Sequence, residues 1–150
     1  WSSDVCSSDL FKCYLMDTGL LISLAFKDRP ILENDLYKQI LLDRLQVNEG
    51  MLIENLVSQC LRANGHPSYF YLERNSATRK TTLEIDFLIR QNKKIVPIEV
   101  KSSSSSSIKS LERFKEKYGS RIADGIVLHH GELKREGTVV FLPYFMACVL

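Results

Sequence analysis

Apolar and polar positions alternate with period two along Leu83-Glu-Ile-Asp-Phe-Leu-Ile89 and again along Ile95-Val-Pro-Ile-Glu-Val-Lys101. Most apolar positions there are β-branched or aromatic, so the pattern predicts two β-strands, with Gln91-Asn92 as the turn between them. Elsewhere the spacing is helical. Leu32, Leu36, Ile40 and Leu41 predict a helix over 31–45, opened by Pro30. A further helix is predicted over 49–63, stopped by Asn64-Gly65 and Pro67, and another over 108–118, closed by Gly119, with Ser107 as its candidate cap. Residues 11–16 predict a short strand, and Asp17-Thr18-Gly19 opens a helical stretch through Phe26. Shorter strands are predicted over 68–72, 125–129 and 138–142, with a basic loop over 73–82 and a short apolar helix after Pro143. The six serines from Ser102 to Ser107 are too polar for a regular element. From residue 49 onward the order α-β-β-β-α-β-β predicts an α/β fold, a mixed central sheet flanked by helices, preceded by a short helical segment.

Strand geometry then places chemistry. Residues two apart share a face, so Glu84 stands with Asp86, and Glu99 with Lys101, while Ile85, Phe87, Ile98 and Val100 face a core. Carboxylates crowded on adjoining strands repel unless positive charge lies between them. A lysine with a hard divalent cation would supply it, which points to a metal-dependent phosphodiester site. The bland alternative is a cross-strand surface ion pair between Glu99 and Lys101. Glu-x-Lys spacing alone says nothing, since Glu132-Leu-Lys134 repeats it in a predicted hairpin loop. On the 49–63 helix, Met51, Leu52, Ile53, Leu56, Val57, Cys60 and Leu61 form the apolar face, with Asn55, Ser58, Gln59 and Arg62 on the wet side. Glu54 lies at the edge of that face, placed either to reach the sheet's polar rim or to snorkel into solvent.

Composition sets bounds. The run Trp-Ser-Ser-Asp-Val-Cys-Ser-Ser-Asp-Leu over residues 1–10 resembles a translated sequencing adapter and is excluded from fold reasoning, with the expectation that the true start of the gene is missing. Without its Asp4 and Asp9, twenty basic residues face sixteen acidic ones, a net charge of +4, compatible with an anionic partner. No apolar run approaches the ~18 residues of a membrane span. Cys13, Cys60 and Cys148 are odd in number and lack CxxC pairing, so they are expected as buried thiols of a cytoplasmic protein, not a disulfide frame or zinc site. His66, His129 and His130 have no metal-ligand spacing, and Ser102 lacks the context of a nucleophile.

The helix-borne Glu54, the strand-borne Asp86 and the Glu99-x-Lys101 pair resemble the PD-(D/E)xK nuclease-like superfamily. More closely, Tyr14-Leu-Met-Asp-Thr-Gly-Leu20, Glu54-Asn-Leu-Val57, Glu84-Ile-Asp-Phe-Leu-Ile89, Pro97-Ile-Glu-Val-Lys-Ser102 and Ser110-Leu-Glu-Arg-Phe114 resemble the domain of unknown function 4143, over residues 11–150. The resemblance implies a restriction-endonuclease-like domain over 49–150. It further implies that this domain is the C-terminal part of a prokaryotic AAA+-type ATPase, with residues 11–48 joining it to an ATPase and winged-helix part outside the sequence. No G-x-x-x-x-G-K-[ST] loop is present, so no ATP site is expected here.

The superfamily chemistry implies that Asp86 and Glu99 hold Mg²⁺ or Mn²⁺, that Glu54 binds a second metal or orients water, and that Glu84 supports Asp86. Lys101 would position the attacking water and offset charge on the phosphorane-like transition state. DNA is the expected partner, with the protein's own ATPase part and a second copy of the chain as others. Arg74, Arg79 and Lys80 in the basic loop, and Lys109 and Arg113 on the 108–118 helix, are candidate phosphate contacts. Lys109, Arg113, Lys117 and Arg121 recur every four residues, but Glu112 and Glu116 flank that stripe, and a solvated face explains it better. Two other readings stay open: a non-cleaving nucleic-acid-binding or regulatory module, and a protein-interaction domain.

Overall fold

Asp17 starts the first ordered helix by accepting the Leu20 amide on its side chain at 2.8 Å, which satisfies a donor that the first turn leaves free. The structure, a computed structural model, describes residues 12–25, 49–102 and 107–150. The predicted 31–45 helix lies outside those residues. Helix α1 is Thr18–Ala25 and helix α2 is Glu49–Ala63. The latter stops at Gly65, whose φ of +83° only glycine adopts without strain, while the amides of Gly65 and His66 turn back onto the carbonyls of Arg62 and Leu61.

Strands β1 (Tyr69–Arg74), β2 (Thr81–Gln91) and β3 (Lys94–Val100) follow as an antiparallel meander, with Asn92 at positive φ in the tight β2–β3 turn. Helix α3 (Lys109–Tyr118) and a 3-10 turn (Gly119–Arg121) then cross over to β4 (Gly125–His129), which pairs parallel to β3. Strand β5 is Lys134–Glu136, β6 is Val139–Pro143, and a 3-10 helix covers Tyr144–Val149. The sheet order is β1-β2-β3-β4-β6-β5, so the sheet is mixed and its two faces are covered separately. On one face Phe87, Ile98, Val100 and Leu128 pack with Val57 and Leu61 of α2. On the other, Leu83, Ile85, Val127 and Phe141 pack with Leu111 and Phe114 of α3.

Ile85 and Phe87, expected on one core face, therefore lie on opposite faces. The cause is a β-bulge. Tyr69 pairs with Leu88 and Tyr71 with Ile85, which leaves Asp86 and Phe87 together opposite the single residue Phe70. The extra residue shifts the in–out alternation by one position, as bulges do beside functional sites. Glu84 and Asp86, alternating with Ile85, face α2, and the bulge brings Phe87 to that same side.

Four further expectations are corrected. Residues 12–16 form no strand; side chains of α2 satisfy their backbone instead, Asn55 Oδ1 accepting the Leu15 amide at 2.7 Å. That segment covers the face of α2 expected to be wet, so Asn55 and Ser58 are buried while Met51 and Leu56 are exposed. Ser107 does not cap α3: its N-cap is Ile108, with no side-chain cap bond. The loop expected around Glu132–Lys134 contains β5, a short edge strand of exposed Lys-Arg-Glu that carries no apolar alternation to reveal it.

Candidate functional site

Lys12, which no spacing argument singled out, stands at the centre of the acidic cluster. Its Nζ lies 2.8 Å from Asp86 Oδ1, 2.9 Å from Glu84 Oε1 and 3.6 Å from Glu54 Oε2. Tyr14, two residues on, donates its hydroxyl to Glu54 Oε2 at 3.2 Å and stacks its ring 5.2 Å from that of Phe87. The signal was available: in an extended segment Lys12 and Tyr14 share one side, as they do here. Asn55 and Gln59 of α2, holding Leu15 and Thr18, fix the segment that carries them.

Asp86 links this cluster to β3. Its Oδ2 accepts the Val100 amide at 2.9 Å, and its charge is felt at Glu99, on the same strand as Val100. Glu99 alternates with Ile98 and Val100, so it points to the face that α3 covers. It is only 2% exposed. Lys101 Nζ lies against Glu99 Oε2 as an ion pair, and Ser110 of α3 stands by the same carboxylate. The Lys101 carbonyl is held from the other side by the Tyr144 hydroxyl.

The electrostatics follow from burial. Desolvation raises Glu99 above the usual carboxylate range, with the charge of Asp86 adding to it and Lys101 opposing. Desolvation raises Glu54 too, again helped by Asp86 and opposed by Lys12. Burial pulls Lys12 downward, but the charge of Asp86 and hydrogen bonds to Asp86 and Glu84 outweigh it, so its ammonium persists well above the ordinary lysine range.

Glu54, Glu84 and Asp86 thus meet at Lys12, while Glu99 pairs with Lys101 one strand over. Among the described residues, no three His, Cys, Asp or Glu side chains are grouped so that they could hold a metal ion. The donor chemistry nonetheless fits a magnesium-like cation. Glu99 is a buried hard oxygen donor, the charge of Asp86 on the neighbouring strand is felt at it, and such cations are commonly bound by one or two carboxylates, water and substrate phosphate.

The candidate phosphate contacts are dispersed. Arg74, Arg79 and Lys80 are exposed at the β1–β2 loop, as is Lys109 at the start of α3. Arg113 donates to the Thr82 carbonyl at 3.0 Å, and Lys117 pairs with Glu73 at 2.8 Å, so this part of the basic stripe fastens α3 to the sheet. Helix α3 ends at Tyr118, which leaves Arg121 off the stripe in the 3-10 turn, its guanidinium over the Tyr118 ring. The cysteines are not buried thiols: Cys13 and Cys148 are exposed and Cys60 is partly buried.

The fold and this corner define a mixed α/β domain with an acid-and-lysine site at a bulged strand. The chain belongs to the family described as a domain of unknown function, DUF4143, whose model matches residues 49–145. No curated protein and no solved structure matches the chain. No helix among the described residues is long and apolar enough to cross a membrane.

Proposed function

We propose that the corner formed by Asp86, Glu99 and Lys101 is a metal-dependent phosphodiester-hydrolysing site acting on DNA. The observation that carries this reading is Glu99, a carboxylate only 2% exposed whose burial disfavours its charge more than the adjacent Lys101 restores it, a cost that a divalent cation would relieve. Bound Mg²⁺ or Mn²⁺ would supply Lewis-acid polarisation of the phosphoryl oxygen. Asp86 and Glu99 would hold the ion. Lys101 would orient the attacking water and balance the charge that develops on the phosphate. Glu54, with Tyr14 on its carboxylate, would orient water from the α2 side, and Glu84 would steady Lys12 against Asp86. The mixed sheet, antiparallel over β1-β2-β3 and parallel from β3 to β4 with helices on both faces, supports the restriction-endonuclease-like reading. On this reading the domain is the nuclease-like part of a prokaryotic, cytoplasmic AAA+-type ATP-binding protein and works beside its ATPase.

A second reading has its own observation. Lys12 already occupies the space between Asp86, Glu84 and Glu54 and pairs with all three, which would suit a non-cleaving module that binds nucleic acid or another protein. Incubation of labelled duplex, branched and single-stranded DNA with Mn²⁺ separates the two. The nuclease reading expects cleavage by the wild-type chain and a loss of about a hundredfold or more in Lys101→Ala. Binding without cleavage by the wild type favours the second reading, and cleavage undiminished in Lys101→Ala overturns the first.

A further inference from the structure

Cys60 and Cys148 are 88 positions apart in sequence, yet their sulfurs stand 3.0 Å from one another. That is closer than two non-bonded sulfurs ordinarily sit and longer than a disulfide bond of about 2.0 Å. Both elements that carry them are anchored by other contacts. Cys60 packs from α2 against the core that includes Val57 and Leu61. Cys148 lies in the Tyr144–Val149 3-10 helix, next to the fully buried Ala147. Asn64 Nδ2 donates to the Leu150 carbonyl at 3.2 Å, and His66 Nε2 lies 3.1 Å from the same oxygen. The two thiols are therefore juxtaposed by packing and hydrogen bonds that need no covalent link.

We infer that Cys60 and Cys148 form a peroxide-driven, reversible disulfide that clips helix α2 to the C-terminal 3-10 helix. The exposed Cys148 is the thiol that an oxidant meets first. Burial and the neighbouring Cys148 sulfur push the Cys60 thiol up to about 11, so Cys60 stays protonated at neutral pH and serves as the resolving partner. In the first step the Cys148 thiolate attacks a peroxide oxygen, breaking the O–O bond to give a sulfenic acid and, after protonation, one water. In the second, Cys60 sulfur attacks Cys148 sulfur, the S–O bond breaks, and hydroxide leaves with the Cys60 proton as a second water. Two thiols lose two electrons and two protons, and one hydrogen peroxide becomes two waters. A dithiol reverses the bond by exchange.

The clip joins two elements that also reach the polar corner. Helix α2 also carries Glu54, and the 3-10 helix carries Tyr144, whose hydroxyl holds the Lys101 carbonyl. Oxidation would fasten together the two elements that bound the corner, whatever chemistry the corner performs.

The test uses the full chain, reduced, freed of reductant and treated with hydrogen peroxide, followed by non-reducing peptide mass spectrometry and a thermal melt. The expected product is a monomer lighter by two hydrogens, with one linked peptide pair joining Cys60 to Cys148. Its melting temperature should be raised by roughly 5–10 °C, because a long loop is closed in the unfolded chain. Dithiothreitol should reverse both changes, Cys148→Ser should abolish them, and Cys13→Ser should leave them intact. Cross-links to Cys6 or Cys13 in comparable yield, intermolecular dimers as the main product, or independent over-oxidation of each cysteine would overturn the proposal.

Discussion

Lys12→Ala is expected to lower stability at pH 7 by about 2–3 kcal/mol, or roughly 5–10 °C in melting temperature. The substitution leaves Asp86, Glu84 and Glu54 facing one another, with the Tyr14 hydroxyl and the Val100 amide as the remaining donors described at the cluster. Stranding buried charge by deleting one partner typically costs more than this. The figure is reduced because the Glu84 side chain is 43% exposed and water screens it. The pH dependence has a definite sign. In the wild type, the raised Lys12 value contributes stability that is complete below the ordinary lysine range and is lost only as pH rises through the higher folded value. In Lys12→Ala the deficit should shrink on acidification, as the crowded carboxylates take up protons. Equal melting temperatures for the two chains between about pH 5 and 8, where ordinary carboxylates are ionised, would remove Lys12 from its central place.

Glu99→Gln should act in the opposite direction and stabilise the cation-free protein by about 1–2 kcal/mol at pH 7.5. Glu99 is raised because burial disfavours its charge more than Lys101 restores it, so the folded chain binds that proton more tightly than the unfolded chain does. Stability from such a group is complete below its unfolded value near 4.3 and declines as pH rises through the folded value. The advantage of the glutamine variant over the wild type should therefore vanish below about pH 4 and grow toward neutrality. Added Mg²⁺ should stabilise the wild type and not the variant, which narrows the gap. Denaturant melts at several pH values check this. A variant less stable than wild type at pH 7.5 would mean that the Lys101 pair, not desolvation, governs Glu99.

The parts of the fold legible in the sequence are those with uninterrupted periodicity. Helix α2 was bounded by its apolar stripe and the Asn64-Gly65 stop, and β2 and β3 by their alternation. What escaped depends on contacts between distant segments. The wheel put Asn55 on the wet side of α2, but a chain segment forty residues earlier lies over it and uses its side chain in place of a strand partner. The bulge at Asp86–Phe87 leaves the alternation from Leu83 to Phe87 intact in the sequence and shows only in the pairing with β1. Lys12 lay outside every charged pattern on the strands, and its role emerges only when residues 12–16 fold back across Glu54 and Asp86. Cys60 and Cys148 carry no mutual spacing signal because helix packing, not sequence proximity, joins them.

The central claim is that Asp86 and Glu99, on neighbouring strands, act together as ligands for one divalent ion. Titration calorimetry with Mn²⁺ addresses it most directly, on the wild-type chain, Asp86→Asn and Glu99→Gln at pH 7.5. One binding site is expected in the wild type, weakened at least about tenfold in each variant. Equal heats and equal affinities in all three proteins, or no saturable binding to the wild type, would contradict it.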